Sequence, residues 1–504
     1  MKCLAAALLI VATLATSSVV AQDSYGSNTP GAGGIAPSLF CGQAWMGNPA
    51  FGLNVSGALG GTTAVFGVSI QPASIFLGMT EILVDLNPAN LILLTAVPVS
   101  GPIGTAGVGS AFLSLPLSFP VDPSVAGFIF YAQAVMSDNS LGSFASTRGL
   151  EVEIAMPPMV YVGTSVGGSN DPSWLIDPIG QSVIQSYTAN VNNVTDAEFA
   201  HGGSRVYVGT SLGQAVMELD TGAATPSYSA FYNAGGVCYG IGYDRRNNIV
   251  YTLSDGPTGS RELIALDANL GSPTYGTVLS MTAGIGALGI VERWELSPSG
   301  RFAGVLTVLP AQLVIVDTDP SSPTWMQWNP LGLIPAGPSP FTLANNLVFT
   351  PRDEQILVVV QLAGPVPGEV ARYDNLSGTW IDHDPFAPGI QNITGVNMPG
   401  APVTIDIARS GQFAVVCGFS GNGAVARIDL NVAAPSFWGL TALNPGVSLA
   451  GAWACSISGD DTSVAVGSFG GAQSQVVLID VLSGALLGTV PIPGASNVYT
   501  VKYH

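Results

Sequence analysis

The chain has 504 residues, a formal net charge of −19 and only 9% charged side chains. An average domain has about a quarter. A chain this acidic repels phosphate backbones and anionic lipid surfaces, so nucleic-acid binding and electrostatic membrane association are excluded as main functions. With 63 glycines and 36 prolines, the composition is that of turn-rich β structure, its polarity carried mostly by uncharged side chains.

The first 21 residues read as a signal peptide. Lys2 supplies the positive start, LAAALLIVATLA the apolar stretch, and Val19-Val20-Ala21 a small-residue cleavage site after Ala21. The apolar stretch is too short to span a bilayer, and no later segment has the roughly 18 uninterrupted apolar residues of a membrane helix. A secreted or cell-surface protein with no membrane insertion is expected. Beyond the leader only one lysine remains, Lys502, and four cysteines: Cys41, Cys238, Cys417 and Cys455. Their spacing fits neither a disulfide scaffold nor a zinc site, so buried thiols are expected, with one bridge such as Cys238 to Cys417 or Cys455 left open.

Residues 22–38 (QDSYGSNTPGAGGIAPS) read as a flexible leader. Residues 39–156 follow with β-type runs separated by turn signals and no helical period: FGLNVSG, TTAVFGVSI, EILVDL, LILLTAV, AFLSLPLSF, AGFIFYAQAVM and LEVEIAM. A β-sandwich is expected, joined onward through Pro157-Pro158. In the longest run, alternation puts Phe128, Phe130, Ala132, Ala134 and Met136 on a core face. The other face carries Gln133 among Ile129, Tyr131 and Val135, and is expected to meet solvent or a partner.

From residue 159 onward the chain repeats. A strand ending in aspartate recurs seven times, at Asp177, Asp220, Asp267, Asp317, Asp374, Asp429 and Asp480. The spacing of roughly 50 residues marks a repeat architecture. Each of these strands follows an earlier one (VYVG, VYVG, IVYT, FAGVL, ILVVV, FAVVC, VAVGS). Before most of those comes a third strand ending in a polar turn such as YDRRNN, LSPSGR or ISGDDTS. A weaker strand follows each aspartate. Four antiparallel strands per unit are the sheet of a propeller blade. The first unit lacks its leading strand, and the C-terminal NVYTVKYH (497–504) is an orphan that would fill that place, closing the ring without an open edge. The expectation is an all-β chain: a seven-bladed β-propeller over 159–504, preceded by the sandwich. The aspartates themselves are read as structural, each closing an Asx-turn at a strand end.

The phrases VYVGTS, LSPSG and V-x-x-ID-x-x-[ST]-G resemble those of YVTN-type, lactonase-like seven-bladed propellers. The resemblance covers about 345 of the residues. It implies the fold, and it leaves function open between enzymes, surface-layer proteins and other secreted proteins.

No catalytic residue is assigned. The sequence Gly-Thr-Ser-x-Gly occurs at 163–167 and 209–213, but a hydrolase nucleophile elbow needs a helix after the serine and here another strand is expected. Histidines are only three: His201, His383 and His504. His383 stands between Asp382 and Asp384 in a loop, where a cation or acid–base role competes with simple solvation. Aligning the turn phrases places Glu198, Glu295 and Asp406 at equivalent positions on the innermost strands of blades 2, 4 and 6. Arg293, two residues before Glu295, and His201 are further candidate polar groups of the channel. Carboxylates converging on the channel could hold Ca²⁺, which takes six to eight oxygens. Otherwise no cofactor is expected. Trp294 and Trp453 are assigned to packing, Trp325 and Trp328 to surface contacts. The leading functional expectation is a secreted, non-catalytic binding or cell-surface protein whose partner is a protein, glycan or surface component. A lactonase-like hydrolase acting at the channel mouth and a structural part of an extracellular layer are the alternatives.

Overall fold

A computed structural model describes residues 22–117, 121–138, 143–164, 171–187, 193–211, 216–223, 227–233, 236–255, 261–285, 291–308, 311–334, 342–362, 368–381, 402–418, 424–432, 434–468, 474–495 and 498–504. The chain is all-β and divides into two units, Met1–Pro157 and Pro158–His504. No α-helix occurs among the described residues.

The second unit is a propeller. Seven four-stranded antiparallel sheets are present among the described residues, and six of them are built from four consecutive strands. The seventh is completed from both ends of the unit. Val498–Tyr503 pairs antiparallel with Val160–Thr164, which is followed outward by Ser173–Asp177 and Ser182–Tyr187. The other innermost strands are Val194–Ala200, Cys238–Asp244, Val291–Leu296, Thr342–Phe349, Pro402–Ile407 and Ala454–Ile457, in blades 2 to 7. Each packs against the innermost strands on either side, and the series returns from the C-terminal strand to Val194–Ala200. The ring is therefore closed, and the C-terminal strand leaves no unpaired edge in blade 1.

The second strand of each blade is buried on both faces, which is why these stretches read as unbroken apolar runs. Tyr161, Tyr207 and Tyr251 occupy equivalent positions there and are fully buried. Hydrophobic clusters join neighbouring blades. One unites Phe413, Val415 and Cys417 of blade 6 with Cys455, Val464 and Val477 of blade 7. Another unites Val160 and Trp174 of blade 1 with Ala465 and Leu478 of blade 7.

All seven repeated aspartates end third strands, and each accepts a backbone N–H from two or three residues on. Asp480 takes the N–H of Ser483 at 2.7 Å and its hydroxyl at 2.6 Å. The side chain thus replaces a backbone acceptor where the chain turns toward the outermost strand.

The first unit contains a six-stranded sheet, a three-stranded sheet (Ser38–Cys41, Gly52–Ala58, Gly109–Ser114) and a two-stranded ribbon (Pro72–Leu77, Thr80–Val84). Phe51, beside the three-stranded sheet, lies edge-on to Phe130 of the six-stranded sheet, with ring centroids 6.2 Å apart. Phe130, Ala132, Ala134 and Met136 are buried as alternation requires, but Phe128 precedes its strand and is 43% exposed.

Two further sequence expectations fail in this unit. The leader is not free chain: Gln22–Tyr25 pairs with Gly149–Glu153, and the Tyr25 hydroxyl donates to the Leu83 carbonyl at 2.6 Å. The Gln133 face is not open either. Gln133 is 1% exposed, because the ribbon covers it. Its amide nitrogen donates to the carbonyls of Glu81 and Thr147, and its oxygen accepts the N–H of Leu83 at 2.8 Å. A glutamine on an apolar strand was here a tie between strands, satisfied at each amide atom.

Candidate functional site: the channel layer of carboxylates and Lys502

The innermost strands carry the groups that border the ring axis. Register places Glu198 opposite Tyr207, Glu295 opposite Gly304, Asp406 opposite Val415 and Lys502 opposite Tyr161. These partners stand at the same rung of successive second strands, so the four charged residues lie in one layer of the ring. The alignment of Glu198, Glu295 and Asp406 across blades 2, 4 and 6 therefore holds at the level of register. The fourth member, Lys502, comes from the C-terminal strand, and the sequence analysis did not assign it to the site.

The Lys502 ammonium meets Glu198 Oε2 at 2.6 Å. About a quarter of each side chain remains open (30% for Lys502, 23% for Glu198), yet both are deep in the ring, where loss of water dominates. Burial would lower the lysine's pKa, but attraction to Glu198, Glu295, Asp406 and Asp196 outweighs it and holds the ammonium well above the usual lysine range. Lys502 is a fixed cation facing four carboxyl groups.

Asp196, one rung outward on the same strand as Glu198, has its oxygens engaged. One accepts the N–H of Ala197 at 2.8 Å and the other the N–H of Ile241 in blade 3 at 3.1 Å. Asp406 repeats this device between blades 6 and 7, accepting from Ile407 at 2.8 Å and from Ile457 at 2.7 Å. Asn346 in blade 5 makes the uncharged version, accepting from Leu347 and donating to the Thr404 hydroxyl of blade 6 at 2.9 Å. These side chains tie blade 2 to blade 3, blade 5 to blade 6 and blade 6 to blade 7.

Burial raises the pKa of Asp196, Glu198 and Asp406, and in each Lys502 is the main opposing influence. Glu295 is pushed up to about 8, by burial first. Lys502 opposes this, while the neighbouring charges of Asp196, Glu198 and Asp406 add to it. At neutral pH Glu295 is the layer's neutral acid, able to donate a proton.

Among the described residues no three His, Cys, Asp or Glu side chains gather closely enough to hold a metal ion. The carboxylates stand on alternate blades, and the cation that faces them is an ammonium on the closing strand. Arg293, two residues before Glu295 and at the level of Asp196, lowers the Asp196 pKa by its charge, so it belongs to the channel's electrostatics.

His201 directly follows the innermost strand that carries Glu198. It sits in the hairpin turn after Val194–Ala200, with Nε2 at 3.0 Å from the Ala268 carbonyl and Nδ1 at 3.2 Å from the Tyr243 hydroxyl. It seals blade 2 against blade 3. The Gly-Thr-Ser phrases end second strands: Ser211 donates its N–H to the Asn193 carbonyl at 3.1 Å, while Ser165 lies outside the described residues, as do His383, Asp382 and Asp384. Trp294 is buried as expected. Trp325 and Trp328 are not surface platforms. Both pack against the cluster between blades 3 and 4, and the Trp328 indole donates to the Ala283 carbonyl at 2.9 Å.

No protein-family model matches the chain. No curated protein matches it in sequence either. Its likeness to known proteins lies in the fold. A candidate 6-phosphogluconolactonase from Bacteroides uniformis superposes with a TM-score of 0.50 at 12% identity, covering 69% of this chain and 100% of that one. A functionally unknown protein from Desulfotomaculum acetoxidans gives 0.49 at 13% identity, over 68% and 98% of the two chains. At 12% identity the first likeness bears on the fold alone, and it agrees with the propeller built by the repeated four-stranded sheets.

Proposed function

We propose that this chain is a secreted, non-catalytic binding or cell-surface interaction protein, with the propeller as a rigid scaffold and the first unit as an accessory β-sandwich. One observation carries the reading: the channel carboxylates are already engaged. Glu198 is paired with Lys502, and Asp196 and Asp406 accept backbone N–H groups of the next blade. Acid–base catalysis needs a positioned group within reach of substrate and available to exchange a proton. Three of the four carboxyls here hold the ring together instead. Partners are sought among proteins, glycans and surface components rather than nucleic acids, given the charge of −19.

One observation favours the alternative, a hydrolase at the channel mouth. Glu295, with its pKa near 8, is a protonated acid at neutral pH beside a fixed ammonium. The candidate 6-phosphogluconolactonase that shares the fold would act on a phosphorylated lactone. Such an anion is a poor match for a layer of four carboxyls against Lys502 and Arg293, so a neutral lactone or ester is the better probe. The test is hydrolysis of neutral lactones and esters between pH 6 and 9 by the wild type, Glu295→Gln and Asp406→Asn, with metal analysis of the purified protein. No turnover by the wild type supports the binding reading. Turnover abolished by Glu295→Gln refutes it. Recovery only in an insoluble surface fraction of the producing cell would favour the layer-forming alternative.

A further inference from the structure

Among the described residues four buried cysteines form no disulfide, and they are not equivalent. Cys41 lies in the first unit and Cys238 begins the innermost strand of blade 3. The Cys238 thiol has local partners: it lies 3.0 Å from the Thr252 hydroxyl and 3.4 Å from the Gly240 carbonyl. Cys417 and Cys455 instead share one hydrophobic cluster across the seam between blades 6 and 7. Cys455 is on the innermost strand of blade 7, and its thiol points at the second strand of blade 6, 3.8 Å from the Val415 carbonyl. Cys417 is two residues along that strand, on the same face as Val415. Hydrogen bonding with the Cys417 side chain is the leading influence that raises the Cys455 thiol's pKa, ahead of burial.

We infer that Cys417 and Cys455 are a disulfide site, an oxidative staple between blades 6 and 7. At this seam the blades meet through side-chain packing, the Asp406 tie to Ile457, Asp461 accepting the N–H groups of Arg409 and Ser410, and Arg427 donating to the Val481 carbonyl, and none of these links is covalent. The oxidant is a small-molecule disulfide such as oxidised glutathione. One protein thiolate attacks it, forming a mixed disulfide and releasing one glutathione thiol. The second protein thiolate then attacks the protein sulfur of that mixed disulfide, forming the Cys417–Cys455 bond and releasing the second glutathione. The two thiol protons are balanced by the two reduced glutathiones. Both cysteines are at most 6% exposed in the folded chain, so the exchange takes place before the two blades close on each other. This differs from a bridge to Cys238, whose thiol is held within blade 3.

Occurrence in the native protein rests on the secreted reading, because disulfides persist in oxidising compartments. The pairing does not, and it is tested separately. The full chain is unfolded and refolded in a glutathione redox buffer, quenched with acid, alkylated under denaturing conditions and digested for mass spectrometry. The expected product is a peptide pair linked through Cys417 and Cys455, with Cys41 and Cys238 alkylated. Oxidation is also expected to raise the denaturation midpoint, with reductant reversing the shift and a Cys417→Ala/Cys455→Ala variant showing none. Alkylation of all four cysteines after oxidative refolding, or a link through Cys238, overturns the assignment. If the pair forms on refolding but is reduced in protein recovered from its natural compartment, the pairing stands and the secreted reading fails.

Discussion

Replacing Lys502 with methionine tests both the channel layer and the ring closure it belongs to. The substitution keeps the length of the apolar stem and removes the ammonium from 2.6 Å of Glu198. At that distance, with an effective dielectric constant of about 20, the direct attraction is about 6 kcal/mol before desolvation is charged against it. Removing one partner of a fully buried pair costs about 3–5 kcal/mol. Lys502 and Glu198 retain 30% and 23% of their side-chain exposure, and water reaching them screens part of that loss, leaving about 2 kcal/mol. The loss depends on pH with a defined sign. Burial has already raised the pKa of Glu198, Asp196 and Asp406, and Lys502 is what holds them down. Without it they bind protons more readily, so the variant relieves its repulsion by protonation increasingly as pH falls. Denaturant unfolding of wild type and Lys502→Met at the two pH values reads the effect. The deficit is expected to be about 2 kcal/mol at pH 8 and to shrink by at least half at pH 5, and adding Glu198→Gln should recover part of it. An equal deficit at both pH values, or no recovery in the double variant, would mean that the lysine acts only through its stem, and the electrostatic account would be wrong.

Two further outcomes follow from the same layer. Glu295 has a folded pKa near 8 against an ordinary value near 4.5, so the folded state binds this proton more tightly than the unfolded one. Its contribution is most favourable below the unfolded value and is lost as pH rises through 8, with a ceiling of about 5 kcal/mol for the full shift and about 2 kcal/mol once neighbours and channel water share the charge. Glu295→Gln should match the wild type at pH 5 and exceed it at pH 9 in unfolding free energy; a variant less stable at pH 9 refutes the assignment. Asp406→Ala should cost about 2–3 kcal/mol, because it strips acceptors from the N–H groups of Ile407 and Ile457, whereas Asp406→Asn keeps one acceptor and should cost about half as much. Equal losses in calorimetric unfolding would show that the charge, not the acceptor geometry, is what matters there.

The propeller was legible because each blade repeats the same physical solution. The aspartate that ends a third strand and caps its turn appears seven times, and the buried second strand appears as an apolar run each time, so period and strand order could be read from the letters. The three carboxylates could be aligned for the same reason: Glu198, Glu295 and Asp406 sit at fixed offsets from their turn phrases, and the pairing register keeps those offsets. What they face could not be read so directly, because Lys502 lies some 200 to 300 residues from Glu198 and Glu295 in sequence and meets them only when the ring closes. A signal was nonetheless present. Lys502 is the only lysine beyond the leader, and setting VYTVKYH against VTDAEFAH puts it level with Glu198. Extending the blade alignment to the orphan strand would have placed an ammonium among the carboxylates. His201 and Gln133 misled for the opposite reason. Each is an isolated polar residue whose partners, Ala268 and Tyr243 in one case and Glu81, Leu83 and Thr147 in the other, come from neighbouring strands that no repeat marks. In a repeat protein the offsets within a unit are written locally, while contacts across seams and over the closing strand depend on how many units complete the circle. Lys502 is the residue in which those two levels meet: its rung is set by its own strand, and its charge has a partner only because the C-terminal strand lies beside blade 2.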